Sequence, residues 1–255
     1  MEMKHDKPII EVENLVKRFG SFVANDHLTF SVAPGEIFGF LGANGAGKTT
    51  AMRILCGLSE PTEGKVLVGG HNVKRHPERV KRSIGYMSQK FSLYEDLTVA
   101  ENIRFYGGIY GMSGKLIKQK TSQMLEKLQL TPMRNTLIHS LPLGWKQKLA
   151  FSVAILHEPR VVFLDEPTGG VDPITRRQFW ELIYEASHAG VTVFVTTHYM
   201  DEAEYCHRVS IMNKGKIEAL GTPGELKSTY SATHMDQVFL EIARGKEARK
   251  EAHDE

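Results

Sequence analysis

No run of apolar residues in this chain approaches the ~18 that a membrane-spanning helix requires. The opening stretch, MEMKHDKPII, lacks the apolar centre of a secretory leader. If the protein acts at a membrane, another chain is expected to supply the span. Cysteine is scarce, with Cys56 and Cys206 the only two. They stand far apart, without CxxC spacing and with no others to form a disulfide framework, which points to a reducing, cytosolic compartment. Charge of one sign is missing too. Lys and Arg number 32 against 30 Asp and Glu, and a net charge of +2 gives no strong field toward nucleic acid or an anionic membrane surface. Internal repeats are absent.

What is present is enough for a substantial core. With 255 residues, 41% of them hydrophobic, the chain can form one large domain or two lobes sharing a core. Residues 9–33 alternate in places: in HLTFSV, Leu28, Phe30 and Val32 share one face, the pattern of an antiparallel strand. IFGFL (37–41), VVFL (161–164) and VTVFV (191–195) are nearly continuous apolar runs, which suit strands buried on both faces of a parallel sheet. Helical stretches follow each, so the alternation predicts an α/β layer fold.

Residues about 92–150 differ, with few strand-like runs. Thr98 with Glu101 gives a capping-box signal, residues 116–130 read as an amphipathic helix, and Leu149, Val153 and Leu156 place one face of a helix over 146–156. This stretch is expected to be a helical subdomain inserted in a domain spanning residues 1–222. Residues 223–255 form a short C-terminal extension. In it MDQVFLEIA reads as a small helix covering the core, and ARGKEARKEAHDE as a solvated helix or disordered tail.

GANGAGKT, from Gly42 to Thr49, fits the G-x-x-x-x-G-K-[ST] pattern and follows the buried strand IFGFL into the helical KTTAMRILCGL. Glycines let backbone N–H groups turn inward around phosphate oxygens, and a helix N-terminus adds partial positive charge. Gly42, Ala43, Asn44, Gly45, Ala46, Gly47, Lys48, Thr49 and Thr50 are therefore candidate residues for binding a nucleotide's phosphates. Lys48 can reach the β- and γ-phosphates, and the Thr49 hydroxyl can ligate Mg²⁺. A chance GKT in a glycine-rich turn is the alternative; the strand before and helix after argue against it. VVFLDEP (161–167) ends an apolar strand in two carboxylates, at the edge of a parallel sheet where ligands bind. Asp165 can hold Mg²⁺ through its water shell, and Glu166 can polarise an attacking water.

These two motifs, with GLSEPTEGKVLVGG, GYMSQKFSLYEDLTVAENI and LDEPTGGVDP, resemble the ATP-binding-cassette (ABC) ATPases over residues 8 to about 222. The resemblance is nearest to the cassette subunits of ABC-2-type exporters of drugs, lipids or polysaccharides. It implies a P-loop NTPase (RecA-like) core with a mainly parallel sheet, an antiparallel β subdomain and the inserted helical subdomain. It further implies that Phe19 stacks on adenine, that Gln89 contacts Mg²⁺ and the attacking water, and that His198 holds the γ-phosphate. Asp172 matches the loop that crosses between protomers, though an acid before Pro is also a common helix-start device. The implied partners are a second cassette, the same or related, and a transmembrane permease, with the chain lying in the cytoplasm on the inner face of the membrane. A soluble cassette acting on ribosomes or DNA is disfavoured by the single cassette and the near-neutral charge.

One family element is altered. Where such cassettes carry LSGGQ before a helix, this chain has Leu141, Pro142, Leu143, Gly144 and Trp145, then Lys146, Gln147 and Lys148. The resemblance implies that this segment covers the γ-phosphate held by the other protomer, with Gly144 permitting close approach. Pro142 offers neither hydroxyl nor N–H. One hydrogen bond to a charged group, worth roughly 1.5–3 kcal/mol, is lost. The helix start, whose dipole is worth up to ~2 kcal/mol, remains. Pro142 reads as a helix starter, and Leu143 crowds the phosphate unless it turns away. The expectation is slowed hydrolysis, with a nucleotide-gated clamp of little turnover as the alternative.

Overall fold

The computed structural model describes residues 7–89 and 93–251; the first residues of the N-terminal stretch, the expected start of the helical insertion at 92 and the last four residues of the tail lie outside them. In chain order the strands are β1 (Ile10–Phe19), β2 (Phe22–Val32), β3 (Ile37–Gly42), β4 (Glu63–Val68), β5 (His71–Asn72), β6 (Ile84–Met87), β7 (Val161–Asp165), β8 (Thr192–Thr197), β9 (Arg208–Asn213) and β10 (Lys216–Gly221). The helices are α1 (Lys48–Leu55), α2 (Pro77–Ser83), α3 (Val99–Ile109), α4 (Gly114–Lys127), α5 (Leu143–Ala154), α6 (Pro173–His188), α7 (Pro223–Thr229) and α8 (Met235–Glu251).

Every residue of β3, β7 and β8 is buried, as their continuous apolar sequences require. They pair in parallel within a six-stranded sheet of order β10-β9-β3-β8-β7-β6, in which only the β9–β10 edge is antiparallel. The alternating β1 and β2 lie instead in an antiparallel sheet of order β2-β1-β4-β5. Alternation along β3 divides the core. Phe38 and Phe40 face the antiparallel sheet and α1, where they join Phe30, Phe163 and Phe194 at ring separations of 5.2–5.6 Å. Ile37 and Leu41 face the layer built by α3, α5, α6 and α8. Aromatic pairs of this kind contribute about 0.5–1.5 kcal/mol each beyond their buried area, so this cluster holds the two sheets together.

The helical region carries the expected capping box: Glu101 N–H donates to Thr98 Oγ1 at 3.3 Å and Thr98 N–H to Glu101 Oε2 at 2.8 Å. Both α4 and α5 start and end earlier than the sequence reading, α5 opening at Leu143 rather than 146. α4 begins at Gly114 behind a Ser113 cap and stops at Lys127 rather than 130, because Gln129 takes a left-handed φ of 56° that turns Leu130 into the core. α5 ends at Ala154, so Leu156 packs from beyond the helix; Pro159 and the left-handed Glu158 (φ 58°) end the run. The expected subdomain limit at 150 falls inside α5, whose Phe151 and Ala154 belong to the sheet-facing core. Beyond β10, Thr222 and Glu225 form a second capping box at α7. α8 then lays buried Met235, Val238 and Ile242 on the core, as MDQVFLEIA suggests. No helix among the described residues is long and apolar enough to cross a membrane.

Candidate active site

The parallel strands explain how distant motifs meet. β3 runs into the loop Gly42–Gly47, Gln89 stands two residues past β6, Asp165 ends β7 with Glu166 next, and His198 follows β8. All are C-terminal strand ends on one sheet edge. Register sets the edge level, with Leu41 opposite Thr197 and Asp165 opposite Thr196.

The phosphate loop is clamped from outside. Gly47 has φ 103°, and a Cβ there would run into the Ala24 carbonyl of β2, so only glycine fits. Asn25 Nδ2 donates to Gly47 O at 3.1 Å, and Gly215, in the β9–β10 turn, donates to Ala46 O at 3.0 Å. Gly47 opens α1 with no side-chain cap and no acid in the first turn, so the first-turn amides and the positive end of the dipole are available to an anion. Lys48 is 4% exposed. Its Nζ donates to Gly42 O at 2.7 Å and to Ala43 O at 3.2 Å. Burial pushes its ammonium below the ordinary lysine range, with the neighbouring Glu166 carboxylate opposing that shift.

Glu166 is the hub. Lys48 Nζ lies 3.6 Å from Oε1, and Gln89 Nε2 donates to Oε2 at 2.9 Å. His198 Nδ1 comes within 3.1 Å of Oε2, in ion-pair range but not aligned as a hydrogen bond. The Glu166 backbone takes a left-handed φ of 48°, and its N–H is shared between Thr196 O and Oγ1, both at 3.1 Å. The same Thr196 hydroxyl donates to Asp165 Oδ1 at 2.6 Å. Asp165 is buried, and burial raises its pKa against the lowering effects of Thr196, Lys48 and Thr49. A buried carboxylate beside a hydroxyl suits a hard divalent cation, which is bound through oxygen ligands and supplies the charge that burial makes costly to lack; Asp165 with the Thr49 hydroxyl fits Mg²⁺ in this sense.

Phe19 ends β1 at the hairpin with Phe22 and is 55% exposed, with Lys17 Nζ 5.0 Å from its ring centre. It is a surface ring, not a core side chain. Asp172 caps α6, accepting from Ile174 N and Thr175 N at 3.0 Å. The altered segment lies apart from the Glu166 hub. Pro142 is the N-cap of α5, one position before the first helical residue, and Leu143 occupies that first position. Leu143 is 36% exposed and leans toward Gly170, bordering a groove of about 290 Å³ between the starts of α5 and α6. Gly144 lies against Thr175, whose methyl a Cβ would strike, so within this chain glycine serves helix–helix contact. Gln147 Nε2 donates to Gly169 O at 3.1 Å, and Gly169 N–H to Glu166 O at 3.2 Å, so α5 is tied to the Glu166 turn. Thr196 and Asn25 belong to no motif in the sequence, whereas Gln147 lies in the altered segment that opens α5. The one available signal was polarity inside otherwise apolar elements, such as the terminal Thr pair of VTVFVTT.

The ABC transporter family model matches residues 25–169, from β2 through the Glu166 turn. The chain belongs to the ABC transporter family. The cassette is 47% identical over 239 residues to the Escherichia coli (strain K12) protein named "Probable multidrug ABC transporter ATP-binding protein YbhF", covering 92% of this chain and 41% of that one. It therefore spans about two-fifths of the length of that relative. It is 34% identical to the linearmycin resistance ATP-binding protein LnrL of Bacillus subtilis (strain 168), over 91% of this chain and 75% of that protein. Among solved structures, the ATP-binding subunit of an ABC transporter superposes with a TM-score of 0.83 at 28% identity, covering 92% of this chain and 99% of that one. A dimeric ATP-binding cassette in a post-hydrolysis state, bound to ADP and Pi, gives 0.75 at 25% identity over 84% and 98%.

Proposed function

We propose that this cassette binds and hydrolyses ATP, with Glu166 orienting the attacking water and Lys48, Gln89 and His198 setting the charge around the γ-phosphate. The observation that carries this reading is the convergence of those three side chains on one carboxylate beside an uncapped helix N-terminus. The loop Gly42–Gly47 with Lys48, Thr49 and Thr50 cradles the phosphates, and the exposed Phe19 ring offers a face for adenine. Thr49, Asp165 and Gln89 would hold Mg²⁺, which when bound neutralises charge on the β- and γ-phosphate oxygens. Catalysis here is positioning and electrostatics, which is what a braced loop and a tethered glutamate provide.

Two cassettes close around the nucleotide, the α5 start of one, with Gly144, facing the phosphate loop of the other. Closure is stabilised because both halves contact the same γ-phosphate, and hydrolysis removes that bridge. The cassette works on the cytoplasmic face of a membrane and drives a separate transmembrane subunit in export, a reading supported by the multidrug and linearmycin-resistance names of its relatives. Purified protein with Mg-ATP is expected to release phosphate, and Glu166→Gln to abolish release while retaining ATP binding. Background release by the wild type would overturn the enzyme reading.

A specific observation favours a second reading, a clamp with little turnover. Pro142 provides no side-chain cap or donor at the α5 start, and Leu143 stands half-exposed at its first position. Tight ATP binding with phosphate release at background would favour it.

A further inference from the structure

Glu202, in the short turn Met200–Tyr205 after β8, is 0% exposed. Its Oε1 accepts from Thr168 Oγ1 at 2.5 Å and lies 3.7 Å from Arg176 Nε of α6. Glu202 Oε2 and Arg176 Nε are both buried without a hydrogen-bond partner. A carboxylate so placed is expensive to bury, and replacing such a pair by apolar groups is often neutral or stabilising. Cohesion therefore does not account for it. What the pair supplies is a fixed relation between three segments: the turn after Glu166 through Thr168, the first turns of α6 through Arg176, and the segment after His198 through Glu202.

The same arginine reaches the reacting centre from the other side. The Arg176 guanidinium lies 4.3 Å over the Tyr199 ring, and the Tyr199 ring lies 4.2 Å from the His198 imidazole at 35°. Arg176 also pairs with Asp201 at 3.3 Å. The contacts close a circuit from Glu166 to His198, Tyr199, Arg176, Glu202 and Thr168, and back along the chain to Glu166. His198 Nδ1 sits 3.1 Å from Glu166 Oε2 without hydrogen-bond alignment, so a small rotation of the imidazole makes or breaks that bond.

We propose that Glu202 and Arg176, acting through the Tyr199 ring, form a positioning bridge that fixes the rotation of the His198 imidazole against the Glu166 turn. The inference rests on the reading that Glu166 and His198 act on ATP, and it adds three residues outside the proposed phosphate, Mg²⁺ and water contacts. Being held at both ends of the circuit, His198 arrives at the γ-phosphate pre-oriented, and a misplacement of about 1 Å in such a group costs up to ~10²-fold in rate.

Glu202→Gln keeps shape and an acceptor for Thr168 while removing the charge that faces Arg176. It is expected to lower kcat roughly ten- to hundredfold with the ATP Kd, measured by calorimetry, unchanged. In a His198→Ala background the same substitution is expected to add no further loss, because the bridge acts only through that side chain. Tyr199→Leu, which leaves the buried pair intact, is expected to behave alike. Independently of turnover, the His198 imidazole proton resonances, identified by their loss in His198→Ala, shift in both variants while those of His71 stay in place. Additive losses in the double variants, or unmoved His198 resonances, overturn the bridge. Absence of wild-type turnover instead overturns the ATPase reading, and the resonances then decide the bridge alone.

Discussion

Glu166 sits at a backbone angle that costs a non-glycine residue about 1–3 kcal/mol, with φ at 48°. Thr196 offsets that cost by taking the Glu166 N–H on two oxygens while its hydroxyl fixes Asp165. One buried threonine thus orients both carboxylates, the proposed metal ligand and the proposed water-orienting group. Phe19 shows the opposite arrangement, a side chain held open to solvent. Phe19→Ala is expected to weaken ATP binding by about 1–3 kcal/mol, the usual value of one base–aromatic contact, whereas Phe19→Tyr leaves it unchanged; titration with nucleotide checks both. At this scale the motif residues were legible because fixed spacing ties Lys48, Thr49, Asp165 and Glu166 to strand ends. Thr196 was not, since a threonine in VTVFVTT reads as a β-branched strand former whatever its hydroxyl does.

The element scale turns on how two helices begin. α6 starts at Asp172, which caps two amides and also accepts from the Thr175 hydroxyl at 2.6 Å. Those bonds, the Thr175 hydroxyl first, hold its carboxyl below the ordinary range. A depressed folded pKa contributes stability that is fully present above the unfolded value, near 3.8, and is lost as pH falls through the folded one. Asp172→Ala is therefore expected to lower Tm at neutral pH, the gap from wild type closing in strong acid; melts across pH test this. α5 starts at Pro142 with no side-chain cap. Pro142→Ser supplies an N-cap acceptor worth typically ~1 kcal/mol and restores a hydroxyl donor. It is expected to raise Tm and to raise kcat, by at most about 10²–10³-fold, the cost of a missing oxyanion donor. Thermal melting and steady-state phosphate release report the two effects separately. Helix existence was legible from caps and periodicity, while helix ends were not. Gln129 and Glu158 adopt left-handed angles that tertiary packing imposes and no local pattern announces.

For the whole molecule, the mainly parallel sheet followed from three continuous apolar runs, since only strands covered on both faces read that way. Strand order is another matter. β3 lies between β8 and β9, a pairing set by how the layers close and not by neighbouring residues. The α5 start with its half-exposed Leu143, and the exposed Ile174 of α6, give one face of the cassette apolar points beside a groove. If that face meets the phosphate loop of a second copy, Glu166→Gln is expected to run as a dimer with saturating Mg-ATP and as a monomer with ADP in light scattering. A monomer in both conditions counts against closure between identical copies.

The brace between Gly215 and Ala46 carries a consequence for synthesis on the ribosome. The phosphate loop is translated well before the turn that backs it and before both strands flanking β3. Contacts this remote in sequence form slowly, after their loops have closed. A nascent chain that has not yet emerged past Gly215 lacks that support for its own phosphate loop, so fragments ending before Gly215 are expected to hold nucleotide less well than the chain that includes it.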